Sequence, residues 1–264
     1  MTIINKNSHP LILLTNDDGF YSEGIQVLKN KLKKEADVTI VAPDSEKSAT
    51  SLALTLHHPL RVKKIDPNTY AVTGTPADCI YIAVQNILPF KPDLIISGMN
   101  PGPNLGQQDT SYSGTVAGAV QGTFLGIPSL AVSILPDKNG NFSFEFAAEF
   151  IMSLSKQLIS APLPEGITLN INIPSPPVKG VKISKLGQKR YHPEIIRKKD
   201  PRGRDYYWIG TGTPKAVGDA NSDVHVIQQG YITLTPLHKD TTDHKTIISK
   251  EIESLIQKTK YELS

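Results

Sequence analysis

An apolar run, Leu11-Ile12-Leu13-Leu14, ends in Thr15-Asn16-Asp17-Asp18-Gly19, so two adjacent carboxylates stand where the run stops. A continuous aliphatic stretch broken by a glycine turn reads as a fully buried strand. Carboxylates just beyond such a strand lie where open α/β sheets bind ligands. Like charges held this close repel, and one pKa rises unless a cation sits between them. Oxygen donors alone suit a hard ion such as Mg²⁺, Mn²⁺ or Ca²⁺. Asn16 adds a third oxygen or a hydrogen-bonding group. A plain Asp-Asp-Gly turn is the alternative, but a turn has no need of carboxylates at that edge.

Two further segments carry candidate chemistry. Ala42-Pro43-Asp44-Ser45-Glu46-Lys47-Ser48-Ala49-Thr50-Ser51 follows the next apolar run. It reads equally as a helix start capped by Asp44 or Ser45 and as a loop bringing hydroxyls beside the Asp pair, because consecutive strands usually lie adjacent. Ser97-Gly98-Met99-Asn100-Pro101-Gly102-Pro103-Asn104-Leu105-Gly106 continues to Asp109 and then Tyr112-Ser113-Gly114-Thr115. That is longer than a strand-to-helix connection needs. Glycine allows close backbone approach to a ligand, asparagine offers neutral polar groups, and a helix opened by Ser113-Gly114-Thr115 would favour an anion such as phosphate at its amide end. A flexible surface loop with a serine cap is the plainer reading. Neither a Walker loop nor the dinucleotide glycine fingerprint is present. His238 follows the last apolar alternation and either approaches the site or is structural; His57-His58 has no ligand spacing and reads as loop.

The elements that must position these residues alternate. After the first strand, Ser22 caps a helix with Ile25, Leu28 and Leu32 on one face. Residues 38–41 form a strand, 61–65 and 69–72 a short pair about Asp66-Pro67-Asn68, and Thr75-Pro76 opens a helix. Strand 93–97, helix 114–125, strand 130–134, helix 144–158 and strand 168–173 complete a doubly wound, mostly parallel α/β sheet of Rossmann-like type. Beyond Pro174 the chain turns rich in Pro, Gly and charge, and residues 181–184, 205–209, 224–228 and 231–234 read as β-hairpin material. The expectation is one α/β domain over 1–264, with 174–235 a protruding β-rich oligomerisation arm and 243–259 a C-terminal helix. Such arms often pair with another subunit.

Composition sets outer bounds. The chain has 264 residues, 39% hydrophobic and 20% charged, with a net charge of +3, ordinary for a soluble globular protein. Lys29, Lys31, Lys33 and Lys34, and Arg197-Lys198-Lys199, are solvated faces or a weak attraction for polyanions; neither has the aromatic interleaving of a nucleic-acid surface. Cys79 is the only cysteine, which rules out an intramolecular disulfide and a cysteine zinc site, and reads as a small buried side chain in a helix. The polar start, residues 1–9, and the lack of a run long enough to span a bilayer lead to the expectation of a cytoplasmic protein.

With these segments in place, the chain resembles the SurE family of stationary-phase survival proteins, which act as 5′/3′-nucleotidases. Asn16 to Gly19 match its Asn-Asp-Asp-Gly, Ala42 to Ser48 its Ala-Pro-Asp-x-x-x-Ser, and Gly74 to Cys79 its Gly-Thr-Pro-x-Asp-Cys. Ser97 to Gly106 and Tyr112 to Val116 match its glycine-rich loop and Tyr-Ser-Gly-Thr-Val. Asp200 to Gly203, Tyr207 to Gly210 and Ile232 to His238 match later motifs in order. The departures, Met99 and Gln107-Gln108, touch no ligand. The resemblance implies one divalent metal, Mg²⁺ or Mn²⁺, on Asp17, Asp18, Ser48 and Asn100, and a phosphate pocket lined by Asn104, Ser113, Gly114 and Thr115. It implies hydrolysis of nucleoside 5′-monophosphates, and of 3′-monophosphates or polyphosphate as further substrates, by a homodimer or homotetramer with no membrane or nucleic-acid duplex as partner. Direct attack by Asp17 through an aspartyl-phosphate, and a metal-requiring nucleotide or polyphosphate binder without chemistry, are the alternatives.

Overall fold

The computed structural model describes residues 9–191, 194–210, 212, 214–217, 219–244, 246 and 254. β1 (Leu11–Thr15) is buried along its whole length. Its Ile12 and Leu14 enter one hydrophobic core and Leu13 the core on the opposite face, which is why the run is apolar without alternation. α1 (Glu23–Leu32) turns Ile25, Leu28 and Leu32 inward, and β2 (Asp37–Pro43) returns parallel to β1. β3 (Val62–Asp66) and β4 (Thr69–Val72) pair antiparallel. α2 (Pro76–Ile82) opens with a full capping box, in which Thr75 accepts from the Asp78 amide and Asp78 from the Thr75 amide.

The chain then crosses back over β1. β5 (Leu94–Pro101) pairs parallel with β1 on the side away from β2. α3 (Gly106–Tyr112) and α4 (Gly114–Phe124) follow, then β6 (Ser129–Ile134), α5 (Phe144–Ser160) and β7 (Ile167–Ile173). α1 and α5 share the core beneath Ile12 and Leu14, whereas α2 and α4 cover the other face, with Ile80 against Leu13 and Ala119 against Ala131. The sheet is therefore doubly wound. Strand order reverses between β1 and β5, and their carboxyl ends frame the crevice where such sheets place ligands.

Beyond β7 lie β8 (Val181–Ile183), β9 (Gln188–Arg190), β10 (Glu194–Lys199), β11 (Asp205–Gly210), β12 (Lys215–Val217), α6 (Asp223–Val226) and β13 (Ile232–His238). The nine-stranded sheet runs β3-β4-β2-β1-β5-β6-β7-β13-β8. The stretch expected as one arm, 174–235, is thus divided: β8 and β13 belong to the main sheet, and only β10 and β11 form a hairpin with almost every residue exposed. β9 and β12 pair beneath it as its base. Residues 224–228 are helical, not strand, with Val224, Val226 and Ile227 buried and a 3₁₀ turn closed by Gly230 at φ 84°. A short apolar run satisfies either period, and packing against Leu105 selects the helix. The expected helix 243–259 lies almost wholly outside the described residues, as do residues 1–8. Among the described residues no helix is long and apolar enough to cross a membrane.

Candidate active site

The turn after β1 is organised by Asn16. Its side-chain amide donates to the Gly19 carbonyl at 2.9 Å and to Ser22 Oγ at 2.7 Å, and its Oδ1 accepts from the Gly19 amide at 3.2 Å. Asn16 therefore shapes the turn, and Ser22 at the α1 N-cap receives a bond from it without capping through its own side chain. The following residue, Asp17, is buried.

Asp17 is fixed by the start of α4. Thr115 Oγ1 donates to Asp17 Oδ1 at 2.5 Å, and the Thr115 amide also bonds this carboxylate. The anion received by the amide end of α4 is thus the protein's own carboxylate, placed where a helix dipole favours negative charge. Gly114 makes the approach possible: a Cβ there would meet Asp17 Cβ and Oδ2 at 2.9 Å each and the Lys47 carbonyl at 3.1 Å. Burial still outweighs these bonds and raises the Asp17 pKa. Asp18 is pushed up to about 7, first by burial and then by the charges of Asp17 and Glu46. Its Oδ2 is buried without a hydrogen-bond partner, an arrangement that costs free energy unless something positive meets it.

Segment 44–51 is a loop of bends and turns, not a helix start, which resolves the two readings of it. The Lys47 amide donates to the Asp17 carbonyl at 2.7 Å and brings the loop beside the pair. Ser48 is exposed there, its hydroxyl donating to Glu46 Oε1 at 2.8 Å. Asn100 lies at the end of β5: Thr15 pairs with Ser97, and a bulge between Ser97 and Asn100 re-aims the chain. Its Nδ2 donates to the Gly102 carbonyl at 2.8 Å, leaving Oδ1 as its acceptor. The two carboxylates, Ser48 and Asn100 thus stand on segments that leave the neighbouring strands β1, β2 and β5 at their carboxyl ends. The buried, unpartnered oxygen of Asp18 fits a hard divalent cation, and Asp17, Asp18, Ser48 and Asn100 are the groups that would hold it. Among the described residues no set of three His, Cys, Asp or Glu side chains clusters as an alternative centre.

The residues expected to line a phosphate pocket are mostly committed elsewhere. Thr115 and Gly114 face Asp17. Asn104 is buried, with Nδ2 on Ser133 Oγ at 2.7 Å, its amide on Asn172 Oδ1 at 2.9 Å, and its carbonyl receiving Asn170 and Asn172. Ser113 caps α4 by accepting from the Val116 amide at 3.1 Å, and its own hydroxyl proton stays available. His238 is remote from the site, because β13 runs antiparallel and His238 pairs with Ile167, at the opening end of β7. Cys79 is fully buried, and burial pushes its thiol pKa well up, so it is no nucleophile. Sequence reasoning missed Glu46 as a charge acting on the pair. It also missed Asp78, which accepts from the Thr55 amide at 2.9 Å and Thr55 Oγ1 at 2.6 Å and so anchors the end of the site loop to α2. Spacing carries no signal for Glu46, and for Asp78 it signals only the capping box with Thr75, not the bonds to Thr55.

The family described as "Survival protein SurE" matches residues 12–193. A relative from Vibrio cholerae named 5′-nucleotidase SurE is 43% identical over 244 residues, 91% of this chain and 96% of the relative. One of the same name from Pelobacter propionicus is 42% identical over 239 residues, 89% of this chain and 96% of the relative. The crystal structure of SurE protein from Aquifex aeolicus superposes with a TM-score of 0.81 at 40% identity, covering 94% of this chain and all of that one.

Proposed function

This chain belongs to the SurE family of survival proteins, and on that footing we propose that it is a metal-dependent 5′-nucleotidase. It hydrolyses nucleoside 5′-monophosphates to nucleoside and phosphate, with 3′-monophosphates and polyphosphate as further substrates, and works in the cytoplasm as a homodimer or homotetramer. The observation that carries the reading is the Asp17–Asp18 pair at the strand-order reversal, one carboxylate buried and clamped by α4, the other half-buried with a buried oxygen that has no hydrogen-bond partner.

One Mg²⁺ or Mn²⁺ held by Asp17, Asp18, Ser48 and Asn100 would offset phosphoryl charge and lower the pKa of water. Thr115 holds Asp17 in one rotamer through hydroxyl and amide, so a ligand oxygen is oriented before substrate arrives. The Ser113 hydroxyl offers its proton to a phosphate oxygen while its lone pair keeps the helix capped. Asn104, knitted to β6 and β7, holds the glycine-rich loop in shape, and Gly114 lets backbone approach the site. Attack by Asp17 itself is the second reading, because an adjacent carboxylate pair suits chelation better.

The deciding experiment is phosphate release from a panel of mononucleotides with and without exhaustive chelation, alongside Asp17→Asn. Hydrolysis by the wild type should stop on chelation and resume with Mg²⁺ or Mn²⁺, and Asp17→Asn should retain under about 1% of the activity, as loss of a metal ligand implies. Near-normal turnover by the chelated protein or by Asp17→Asn would refute the mechanism. A trappable phosphoenzyme would instead favour attack by Asp17, and metal-dependent nucleotide binding without turnover would favour a non-catalytic binder.

A further inference from the structure

α3 is stitched to the arm on one side and to the site on the other. At its start, the fully buried Asp223 accepts from the Gly106 amide at 2.8 Å, the Gly187 amide at 2.7 Å and the Val224 amide at 2.8 Å, and the Gln107 amide donates to the Gly187 carbonyl at 2.9 Å. In its middle, the Asp109 carboxylate receives both Lys189 Nζ and the Tyr191 hydroxyl, from the base strand β9 and the residue just beyond it. The Lys189 and Asp109 side chains are only 13% and 15% exposed. Leu105, Val224 and Ile227 form a small core beneath this junction, with Ala216 of β12 packed on it.

The opposite side of α3 holds the site. Its Ser111 and Tyr112 carbonyls accept from Ser51 Oγ at 2.7 Å and the Ser51 amide at 3.0 Å, tethering the loop that carries Ser48. The Asp109 carbonyl accepts from the Ser113 amide at 2.9 Å, and Ser113 starts the helix whose Thr115 fixes Asp17. Asp109 thus touches the arm base with its side chain and the α4 cap with its backbone. A nearly buried ion pair with an added hydroxyl donor is a directional constraint, and here it acts on a helix whose displacement would move two metal-ligand segments together.

We propose that Asp109, with Lys189 and Tyr191, is a positioning residue: a clasp through which the base of the arm fixes the loop of Ser48 and the start of α4. It deepens the metal-site reading above and rests on it for its effect on affinity. The test uses full-length Asp109→Ala and the milder Lys189→Met, followed by hydrogen–deuterium exchange and Mn²⁺ titration. Exchange should rise in peptides covering 48–52 and 113–117 while β6 and β7 keep wild-type protection. The Mn²⁺ Kd should weaken by about tenfold, the range seen when groups that orient metal ligands are lost, and the deficit in turnover should be recovered at saturating Mn²⁺. Asp109→Ala/Lys189→Met should be no worse than Asp109→Ala, because both remove one contact.

Unchanged exchange at 48–52 in both variants would overturn the clasp. So would a uniform rise across the whole chain with a parallel fall in Tm, since that marks a merely structural ion pair. Should Asp109→Ala not fold, Lys189→Met carries the same two readouts. A wild-type protein that neither binds Mn²⁺ nor hydrolyses a mononucleotide would remove the metal-site reading, while the exchange pattern would still decide the clasp.

Discussion

Asp18 concentrates the conflict in the site. Its carboxyl is pushed up to about 7 by burial, Asp17 and Glu46, while the unfolded chain ionises it near the ordinary 3.8. The folded, metal-free protein then keeps a proton that the unfolded chain has released, so this group's contribution to stability falls as pH rises from about 4 through 7 and is flat above. A cation reverses the preference by favouring the ionised pair. Two outcomes follow for thermal melts. In chelator, Asp18→Asn should be more stable than wild type at pH 8, by about 1–3 kcal/mol after allowing for partial exposure, and closely similar at pH 4. With millimolar Mn²⁺ the order should invert, because only wild type gains stability from binding. A wild type more stable than Asp18→Asn at pH 8 in chelator would mean that the pair is not strained.

Among the elements, α4 fixes the buried carboxylate of the pair, and its effect depends on one missing side chain. Gly114→Ala improves helix propensity by up to about 1 kcal/mol, yet its methyl would stand 2.9 Å from Asp17 Cβ and Oδ2. The expected result is a Tm within a few degrees of wild type and a kcat/KM lower by about 100-fold, since a small misplacement of reacting groups is costly; an active Gly114→Ala would show that Asp17 has slack. The helix itself was legible from Ser113-Gly114-Thr115, as were β1, β5 and the long loop between β5 and α4, because buried parallel strands and capped helices write their periods plainly. The partner of Thr115 was not legible. A hydroxyl at a helix start is equally a cap, a phosphate donor or a clamp, and only the side-by-side placement of β1 and α4 decides. His238 stayed open between two readings for a related reason: nothing local to Ile232–His238 says that the strand enters the sheet antiparallel and carries its end away from the site. Residues 224–228 failed because so short an apolar run has no distinguishing period.

At the scale of the whole molecule, the chain spends apolar side chains where no core receives them. Ile209 is 77% exposed on one face of the β10–β11 hairpin, with Ile195 opposite it and Tyr207 two residues along, and Trp208, 63% exposed, stands on the other face opposite Ile196. Patches of this kind mark interaction surfaces more often than free ones, and a symmetric pairing of two copies would cover them without any further partner. The expected arm has therefore narrowed from 174–235 to 194–210, because β8, β13 and α6 are bound into the sheet and its satellite core. A chain in which residues 194–210 are replaced by a short glycine-serine link keeps β9, Tyr191 and Asp223, and hence the clasp on α3. Light scattering after size exclusion should find it in a smaller assembly than wild type. Its Tm at high dilution should stay within a few degrees, since the hairpin contributes nothing to the main core. An unchanged assembly would place the subunit contact elsewhere on the molecule. If the smaller species still binds Mn²⁺ with wild-type affinity, the base of the arm, and not the exposed hairpin, is the part that holds the site.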